Sequence, residues 1–290
     1  MDNSTTSSEK SFAGKLLLRL GLLGSQLRFA HQRGGSLWQC LRLFYYTTIK
    51  RSLAFRGWAR FSPEKILSFN LKVSGQGTFQ VYARDNGLEV FTIEEFFSPH
   101  SKIVPPNLPP LLPGVVYDLG ANVGISSLFF ATLYPGAMVY GFEPLPMNYE
   151  VCSMNYRNLP KGRLFPWAIG SRTGMAVFEC QNDPRGGRLE SSSHDLRHLP
   201  TTKRIEVEVV SIDDLVRIKG LEPPDFLKID VEGAELDVLN GLGEQYRSIR
   251  RIFVETHGAD LKRECLKWMK EHGYKIRHSE YETAIWADRF

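Results

Sequence analysis

The stretch Val115–Ser126 constrains the fold of this chain more than any other segment. It begins as a short apolar run, which is typical of a buried parallel strand. The run breaks at two glycines four positions apart, Gly120 and Gly124, and an apolar helical pattern follows. A strand, a glycine turn and a helix in this order predict the first unit of a nucleotide-binding α/β sheet.

The spacing of the glycines indicates which nucleotide such a turn binds. A dinucleotide site needs Gly-x-Gly-x-x-Gly so that the backbone can approach a pyrophosphate, and Gly120–Gly124 misses that register. Asp118 stands just before the turn, where it would repel a pyrophosphate but suit a cation. S-adenosylmethionine (SAM) carries a sulfonium and an ammonium group and no phosphate. Glu143, 23 positions after Gly120, has about the spacing expected for a carboxylate that binds ribose hydroxyls.

These features favour SAM over NAD, although each alone also fits a generic turn with Glu143 as a solvated loop acid. In an open α/β sheet, ligands bind beyond the carboxyl ends of the strands. Five acids on one edge are costly unless a cation is present, and SAM would supply positive charge. Lys228 is expected two residues deeper in its strand. The side chains expected at this edge are Asp118, Glu143, Asp230, Glu232, Glu255 and His257.

Methyl transfer to a hydroxyl requires a base, because an aliphatic hydroxyl is barely ionised at neutral pH. His257 is the first candidate, with Glu255 orienting it or acting in its place. Asp230 is expected to bind the cofactor or the acceptor. Lys228 could pair with Asp230 or Glu232, or form a purely structural ion pair.

A divalent metal is the alternative use of the same acids. Mg²⁺ accepts one or two carboxylates together with water and substrate oxygens. The candidate ligands do not form a fixed-spacing signature, so the metal is the less favoured interpretation. Those ligands would be Asp230, Glu232, Glu255 and His257.

Three segments resemble the FkbM-type methyltransferases, a branch of the class I SAM-dependent enzymes. They are Asp118–Gly124, Phe142–Pro146 and Leu227–Glu235, and the last is the most specific. The resemblance runs from about Phe69 to the C-terminus. It implies an α/β, Rossmann-like class I sheet of about seven strands, mostly parallel, with an antiparallel C-terminal strand.

The resemblance also implies O-methylation of a hydroxyl on a sugar, glycan or natural product. The alternatives are an NAD-dependent oxidoreductase and a non-catalytic membrane or glycan adaptor on the same scaffold. The residues expected to bind SAM are Asp118, Gly120, Asn122, Gly124, Glu143, Pro144, Ala168 and Asp230.

Charge divides the chain unevenly. Residues 1–60 contain ten Lys or Arg and two acids, whereas the remainder has 26 basic and 30 acidic residues. The acidic remainder argues against nucleic acid as a partner. We predict a basic helical extension over 1–60, disordered in part, a hairpin and helix with a proline-rich linker over 61–113, and the methyltransferase domain over 114–290.

The basic extension has three interpretations, of which one is a cleaved organelle leader. Residues 36–60 interleave aromatic and basic side chains, which could lie on an anionic membrane. A helix that packs its Trp and Leu side against the catalytic domain is the favoured alternative. We therefore expect a cytoplasmic protein, with peripheral membrane contact through residues 12–60 as the secondary hypothesis.

Weaker sequence patterns predict further strands and helices in the rest of the chain. A hairpin is predicted over 68–84, a helix over Leu88–Phe97, and one strand over 163–169. Two further strands, 176–180 and 205–210, are joined by a long polar connection. Such connections are often functional, and a substrate lid with Ser191–His194 is one interpretation.

Overall fold

The computed structural model describes residues 21–73, 75, 77–98, 103–105, 107–181, 187–189, 201–278 and 283–289. The chain divides into two compact units, Met1–Ile103 and Val104–Phe290. The predicted lid residues Ser191–His194 and the first 20 residues lie outside the described part of the chain. Among the described residues, no helix combines the length and the apolar character needed to cross a bilayer.

The first unit consists of helices and one hairpin. Residues 21–33 are helical (α1) and are followed by α2 (Leu37–Phe44). A π-helical turn, Tyr45–Lys50, leads into α3 (Arg51–Phe55). The hairpin pairs β1 (Ser62–Val73) with β2 (Gly77–Asp85), and α4 (Leu88–Phe97) follows. The hairpin and the helix over Leu88–Phe97 confirm those two predictions.

The second unit begins with the predicted strand, turn and helix. Its strands are β3 (Val115–Leu119), β4 (Met138–Phe142), β5 (Gly162–Phe165), β6 (Ala168–Ile169), β7 (Gly174–Gln181), β8 (Gly187–Leu189), β9 (Thr201–Val210), β10 (Phe226–Ile229), β11 (Arg251–Glu255), β12 (Lys275–His278) and β13 (Ala284–Asp288). Its helices are α5 (Ile125–Leu133), α6 (Pro146–Tyr156), α7 (Ile212–Arg217), α8 (Glu235–Asn240) and α9 (Ala259–Glu271). A short 3₁₀ helix spans Gly243–Arg247.

Seven of these strands form the main sheet, in the order β12-β13-β11-β10-β3-β4-β5. β10 pairs in parallel with both β3 and β11, and β3, β4 and β5 continue the parallel arrangement. Within this described sheet, β13 alone runs in the direction opposite to the other six strands. The order reverses direction between β3 and β10, which places a switch point at the carboxyl ends of those two strands. The predicted fold class is confirmed.

A second sheet contradicts one strand prediction. The sequence suggests a single strand over 163–169, but β5 ends at Phe165 and Ala168–Ile169 joins the sheet β6-β9-β7-β8. Pro166 lies between the two strands and has no N–H to donate to a ladder. The strands predicted over 176–180 and 205–210 are confirmed as an antiparallel pair.

A buried ion pair fixes the antiparallel strand of the main sheet. The guanidinium of Arg251 in β11 donates from Nε and one terminal nitrogen to the two carboxylate oxygens of Asp288 in β13, at 2.6 and 3.0 Å. Arg277 in β12 donates to the same carboxylate at 3.1 Å. Asp288 and Arg251 are both buried, so this two-pronged contact joins three neighbouring strands in a dry environment.

Candidate active site

The glycine turn after β3 is shaped by close backbone approach. Gly120 has φ +72°, and a Cβ there would stand 1.8 Å from the carbonyl oxygen of Asp230. Gly124 has φ +82° and begins α5, and a Cβ there would stand 3.0 Å from Cys152 Sγ. Only glycine fits both the left-handed backbone and the available space. The turn therefore brings the end of β3 against the residue that follows β10.

Asp118, the acid expected to face a cation, lies fully buried beneath the turn. Its Oδ2 accepts hydrogen bonds from the hydroxyls of Ser126 and Ser127 at 2.6 and 2.5 Å. Its Oδ1 lies 3.0 Å from Lys228 Nζ. In this structure the cation beside Asp118 is thus a lysine of the chain itself, and the carboxylate ties β3 to the first turn of α5.

Lys228 lies at the centre of the site. Its buried ammonium donates to the carbonyl oxygens of Gly120 and Leu119 at 2.8 and 3.3 Å. It also lies 3.4 Å from Asp230 Oδ2. Burial opposes its charge, but the Asp118 and Asp230 carboxylates outweigh burial and raise the pKa of Lys228 above its usual value. A permanent positive charge therefore holds the backbone of the glycine turn.

Glu143 closes the other side of the turn. Its Oε2 accepts from the backbone N–H of Asn122 at 2.8 Å, and its Oε1 accepts from that of Leu145 at 2.9 Å. Burial raises the pKa of Glu143 to about 7 against the opposing effect of these hydrogen bonds. Asn122 has φ +51°, and its buried Oδ1 has no hydrogen-bond partner among the described residues. Two polar groups with spare hydrogen-bonding capacity therefore flank the turn.

The structure gives less direct support for Pro144 and Ala168 as SAM-binding residues. Pro144 is half-buried between Glu143 and α6. Ala168 is buried in a small apolar cluster that includes Leu145. Trp167, the residue before Ala168, stacks on Phe165 with ring centroids 4.7 Å apart. Its ring packs against the hydrophobic core of the second unit.

A second cluster lies beyond the carboxyl ends of β10 and β11. His257 Nε2 lies 3.3 Å from Glu232 Oε2 and 3.9 Å from Asp230 Oδ1. The other ring nitrogen, Nδ1, lies 2.8 Å from Oε1 of Glu235, a fully buried carboxylate in the first turn of α8. Three of the four predicted metal ligands, Asp230, Glu232 and His257, each place one ligand atom within 4.8 Å of the others.

Three acids control the charge of His257. Burial alone would lower its pKa, but the hydrogen bond to Glu235 and the charges of Glu232 and Asp230 raise the pKa of His257 to about 10. At neutral pH the imidazole of the ligand-free protein therefore carries a proton on each nitrogen.

The partner of His257 differs from the one expected. Glu255 ends β11 and is half-buried, and its charge acts on Lys228. The carboxylate that contacts His257 Nδ1 is Glu235, the last residue of the motif Leu227–Glu235, for which no separate role was predicted. The signal was present, because Glu235 opens the helix that follows β10 and so faces the end of β11. Its burial is what the sequence does not reveal.

The two clusters share one edge of the sheet. Asp118 and Asp230 both contact Lys228, and Glu143 contacts the turn through Asn122. The predicted residues thus converge at the switch point between β3 and β10. Residues 118–276, more than half of the chain, match the family model of the methyltransferase FkbM domain. The chain belongs to the FkbM methyltransferase family.

Curated relatives of this FkbM family member carry related names. The 31-O-demethyl-FK506 methyltransferase FkbM of Streptomyces tacrolimicus is 30% identical over 194 residues, 57% of this chain and 75% of that protein. The 2-O-methyltransferase NoeI of Sinorhizobium fredii is 32% identical over 157 residues, 51% of this chain and 65% of that protein. The hexuronic acid methyltransferase AglP of Haloferax volcanii is 28% identical over 159 residues, 54% of this chain and 62% of that protein.

Membership in the FkbM family makes this chain a SAM-dependent methyltransferase. The family match begins at Asp118 and so includes the glycine turn, Glu143 and the whole of the acidic cluster around His257. The residues that form the turn and the cluster therefore belong to the catalytic domain of an enzyme that needs both a methyl donor and an acceptor.

Proposed function

We propose that this FkbM family member transfers the methyl group of SAM to a hydroxyl of a sugar, a glycan or another natural product. The observation that carries the proposal is the cluster of Asp230, Glu232 and His257 directly beside the glycine turn. A hydroxyl acceptor is supported by relatives named for 31-O- and 2-O-methylation, and a sugar by one named for hexuronic acid.

The glycine turn fits a cofactor without phosphate. SAM supplies an activated methyl group on a sulfonium ion when it is bound. Glu143 and the unpartnered Asn122 Oδ1 are the groups offered to the ribose hydroxyls. Gly120 and Gly124 allow the backbone of the turn to pack closely against Asp230 and Cys152. Asp230 borders both clusters and would offer its carboxylate to the cationic part of the cofactor.

The acceptor side needs proton acceptance and orientation. We assign the base role to His257, whose Nε2 lies on the side of Asp230 and Glu232 while Nδ1 is held by Glu235. The Nε2 proton must leave before the imidazole can take one from an acceptor hydroxyl. Asp230 and Glu232 would orient that hydroxyl, and a well-placed base contributes on the order of 10²–10⁴ in rate. The opposite charges of Glu255 and Lys228 would stabilise the charged forms of the neighbouring side chains at this edge.

A divalent cation is the second candidate for the same cluster. Two carboxylates and an imidazole form a donor set that Mg²⁺ or a transition metal accepts. A buried carboxylate on the far nitrogen, as Glu235 provides, is common behind metal-binding histidines. Asp230, Glu232 and His257 would hold such an ion, and it would polarise the acceptor hydroxyl.

The test is methyl transfer from labelled SAM by the full chain to a panel of hydroxylated acceptors that includes free hexuronic acids. We expect transfer to an acceptor hydroxyl, and loss of that transfer in His257→Ala with SAM affinity retained. Glu244→Ala, in an exposed pair with Arg247, is the control. Tight binding of NAD without SAM binding would reject the proposal, and unchanged turnover in His257→Ala would remove the base assignment.

Peripheral membrane contact through residues 12–60 concerns the first unit of the chain. The geometry of the catalytic unit has no bearing on it, and packing of that segment on the catalytic domain likewise stays a prediction.

A further inference from the structure

The first unit exposes a group of large apolar side chains on consecutive helical segments. Trp38 is 69% exposed, Phe55 95% and Trp58 73%. Leu37, Leu41 and Tyr45 follow one another at four-residue spacing along the continuous helical run of α2 and the π-helical turn, so they share a face. We call the following set the α2–α3 surface: Leu37, Trp38, Leu41, Tyr45, Ile49, Phe55 and Trp58.

The opposite side of the same helix is already occupied. Leu43, Thr47 and Lys50 are buried there, and the Lys50 ammonium pairs with the buried carboxylate of Asp85. The core contacts of this helix are therefore made by another face. The α2–α3 surface is in excess of what the fold of the first unit needs, and exposed apolar surface of this kind marks an interaction site.

The segment that carries this surface is basic in sequence, although the Arg51 charge also acts on Glu94 of α4. Residues 21–63 contain seven Lys or Arg and no Asp or Glu. Arg51, Arg56 and Arg60 are exposed. The Arg56 guanidinium lies 5.7 Å from the ring centroid of Trp58, so apolar and cationic groups are interleaved. Tryptophan beside arginine is the combination that settles at the boundary between lipid headgroups and acyl chains.

We propose that the α2–α3 surface binds the face of an anionic lipid bilayer. Leu37, Trp38 and Leu41 would enter the headgroup region, and the exposed arginines would pair with lipid phosphates and carboxylates. This orientation is peripheral.

Charge complementarity favours a bilayer over a second copy of the chain. Two copies joined through this surface would bring exposed arginines of both into one interface, and the segment 21–63 offers no acid to pair with them. Nucleic acid would match the arginines but would leave the leucine side chains without a role.

The experiment is co-sedimentation of the full chain with vesicles of phosphatidylcholine alone and with vesicles of equal parts phosphatidylcholine and phosphatidylserine. We expect binding to the mixed vesicles, at least tenfold weaker binding to phosphatidylcholine, and weakening of the former by added salt. Trp38→Ser/Leu41→Ser should lose at least tenfold in binding. Leu112→Ser/Met175→Ser, two exposed apolar residues of the other unit, is the matched control and should bind as the unaltered chain does.

Other results would overturn the proposal. One is absence of binding to the mixed vesicles by a chain that still binds SAM, and another is unchanged binding by Trp38→Ser/Leu41→Ser. A dimer of the unaltered chain in gel filtration that becomes a monomer in this variant would show that a second copy covers the surface. A lower melting temperature of the variant would show that the surface packs within the chain. The vesicle assay does not depend on methyl transfer, so its failure leaves the proposed reaction untouched.

Discussion

At the scale of single residues, the proposed contact between Glu143 and SAM predicts that cofactor binding depends on pH. Its carboxylate is buried, both oxygens already accept backbone N–H groups, and its pKa is raised to about 7. The ionised form is the better acceptor for ribose hydroxyls. As the pH falls through 7 the group takes up a proton, so affinity for SAM should fall with falling pH.

We expect SAM to bind about tenfold more weakly at pH 6 than at pH 8, as follows for one group with a pKa of about 7 that must be ionised. Titration calorimetry at several pH values measures this. Glu143→Gln removes the group and should bind weakly at every pH with a flatter profile. Equal slopes in the two proteins would show that another group controls the dependence.

Glu235 is the second residue whose role can be isolated. It is fully buried and hydrogen-bonded to His257 Nδ1. Glu235→Gln keeps the shape of the side chain but removes the charge that orients the imidazole. We expect kcat to fall by on the order of tenfold or more, as for other supporting carboxylates, with little change in the Kd for SAM. Glu244→Gln, with an exposed carboxylate, should leave both constants unchanged, whereas equal loss of SAM binding in Glu235→Gln would indicate a structural role instead.

Gly120 tests the turn itself. A Cβ at this position would stand 1.8 Å from the Asp230 carbonyl oxygen, on a backbone with φ +72°. Gly120→Ala should therefore separate the ends of β3 and β10 and abolish SAM binding, as calorimetry would show. Gly174→Ala is the control, because a Cβ there meets nothing within 4 Å and φ is not positive. Retained SAM binding in Gly120→Ala would mean that the strands can part without loss of the site.

At the scale of elements, the pair of Arg251 and Asp288 joins β11 to β13. Both side chains are buried, and two hydrogen bonds connect them. Asp288→Ala leaves a buried guanidinium without its carboxylate, which typically costs about 3–5 kcal/mol of unfolding free energy. Chemical denaturation measures the change. Asp260→Ala, in an exposed pair with Arg263, should cost no more than about 1 kcal/mol, and similar values for the two variants would contradict this account.

Sequence patterns predicted the helices and strands more accurately than they predicted contacts between side chains. An apolar run marked β3, and the patterns over 68–84, Leu88–Phe97, 176–180 and 205–210 marked the hairpin, α4, β7 and β9. The split between β5 and β6 was missed because an apolar run does not show which sheet each half joins. The burial of Asp118 was missed for a similar reason. Its partner Lys228 is 110 positions away, and only the parallel pairing of β3 with β10 sets them side by side.

At the scale of the whole molecule, a chelator separates the two interpretations of the acidic cluster. If His257 acts as the base without a metal, methyl transfer should be unchanged after dialysis against EDTA. If Asp230, Glu232 and His257 hold a divalent ion, activity should be lost and should return on addition of Mg²⁺ or Mn²⁺. Calorimetry of the metal alone with the chelated protein gives an independent readout.

The position of Lys228 has a consequence for how the two ligands influence each other. Its ammonium donates to the carbonyl oxygen of Gly120, in the turn proposed to bind SAM, and lies 3.4 Å from Asp230, which is proposed to orient the acceptor. Binding of either substrate should therefore change the affinity of the enzyme for the other. Lys228→Met should abolish this cooperativity. A single lysine would then couple the binding free energies of the two substrates by the same amount, whichever of them binds first.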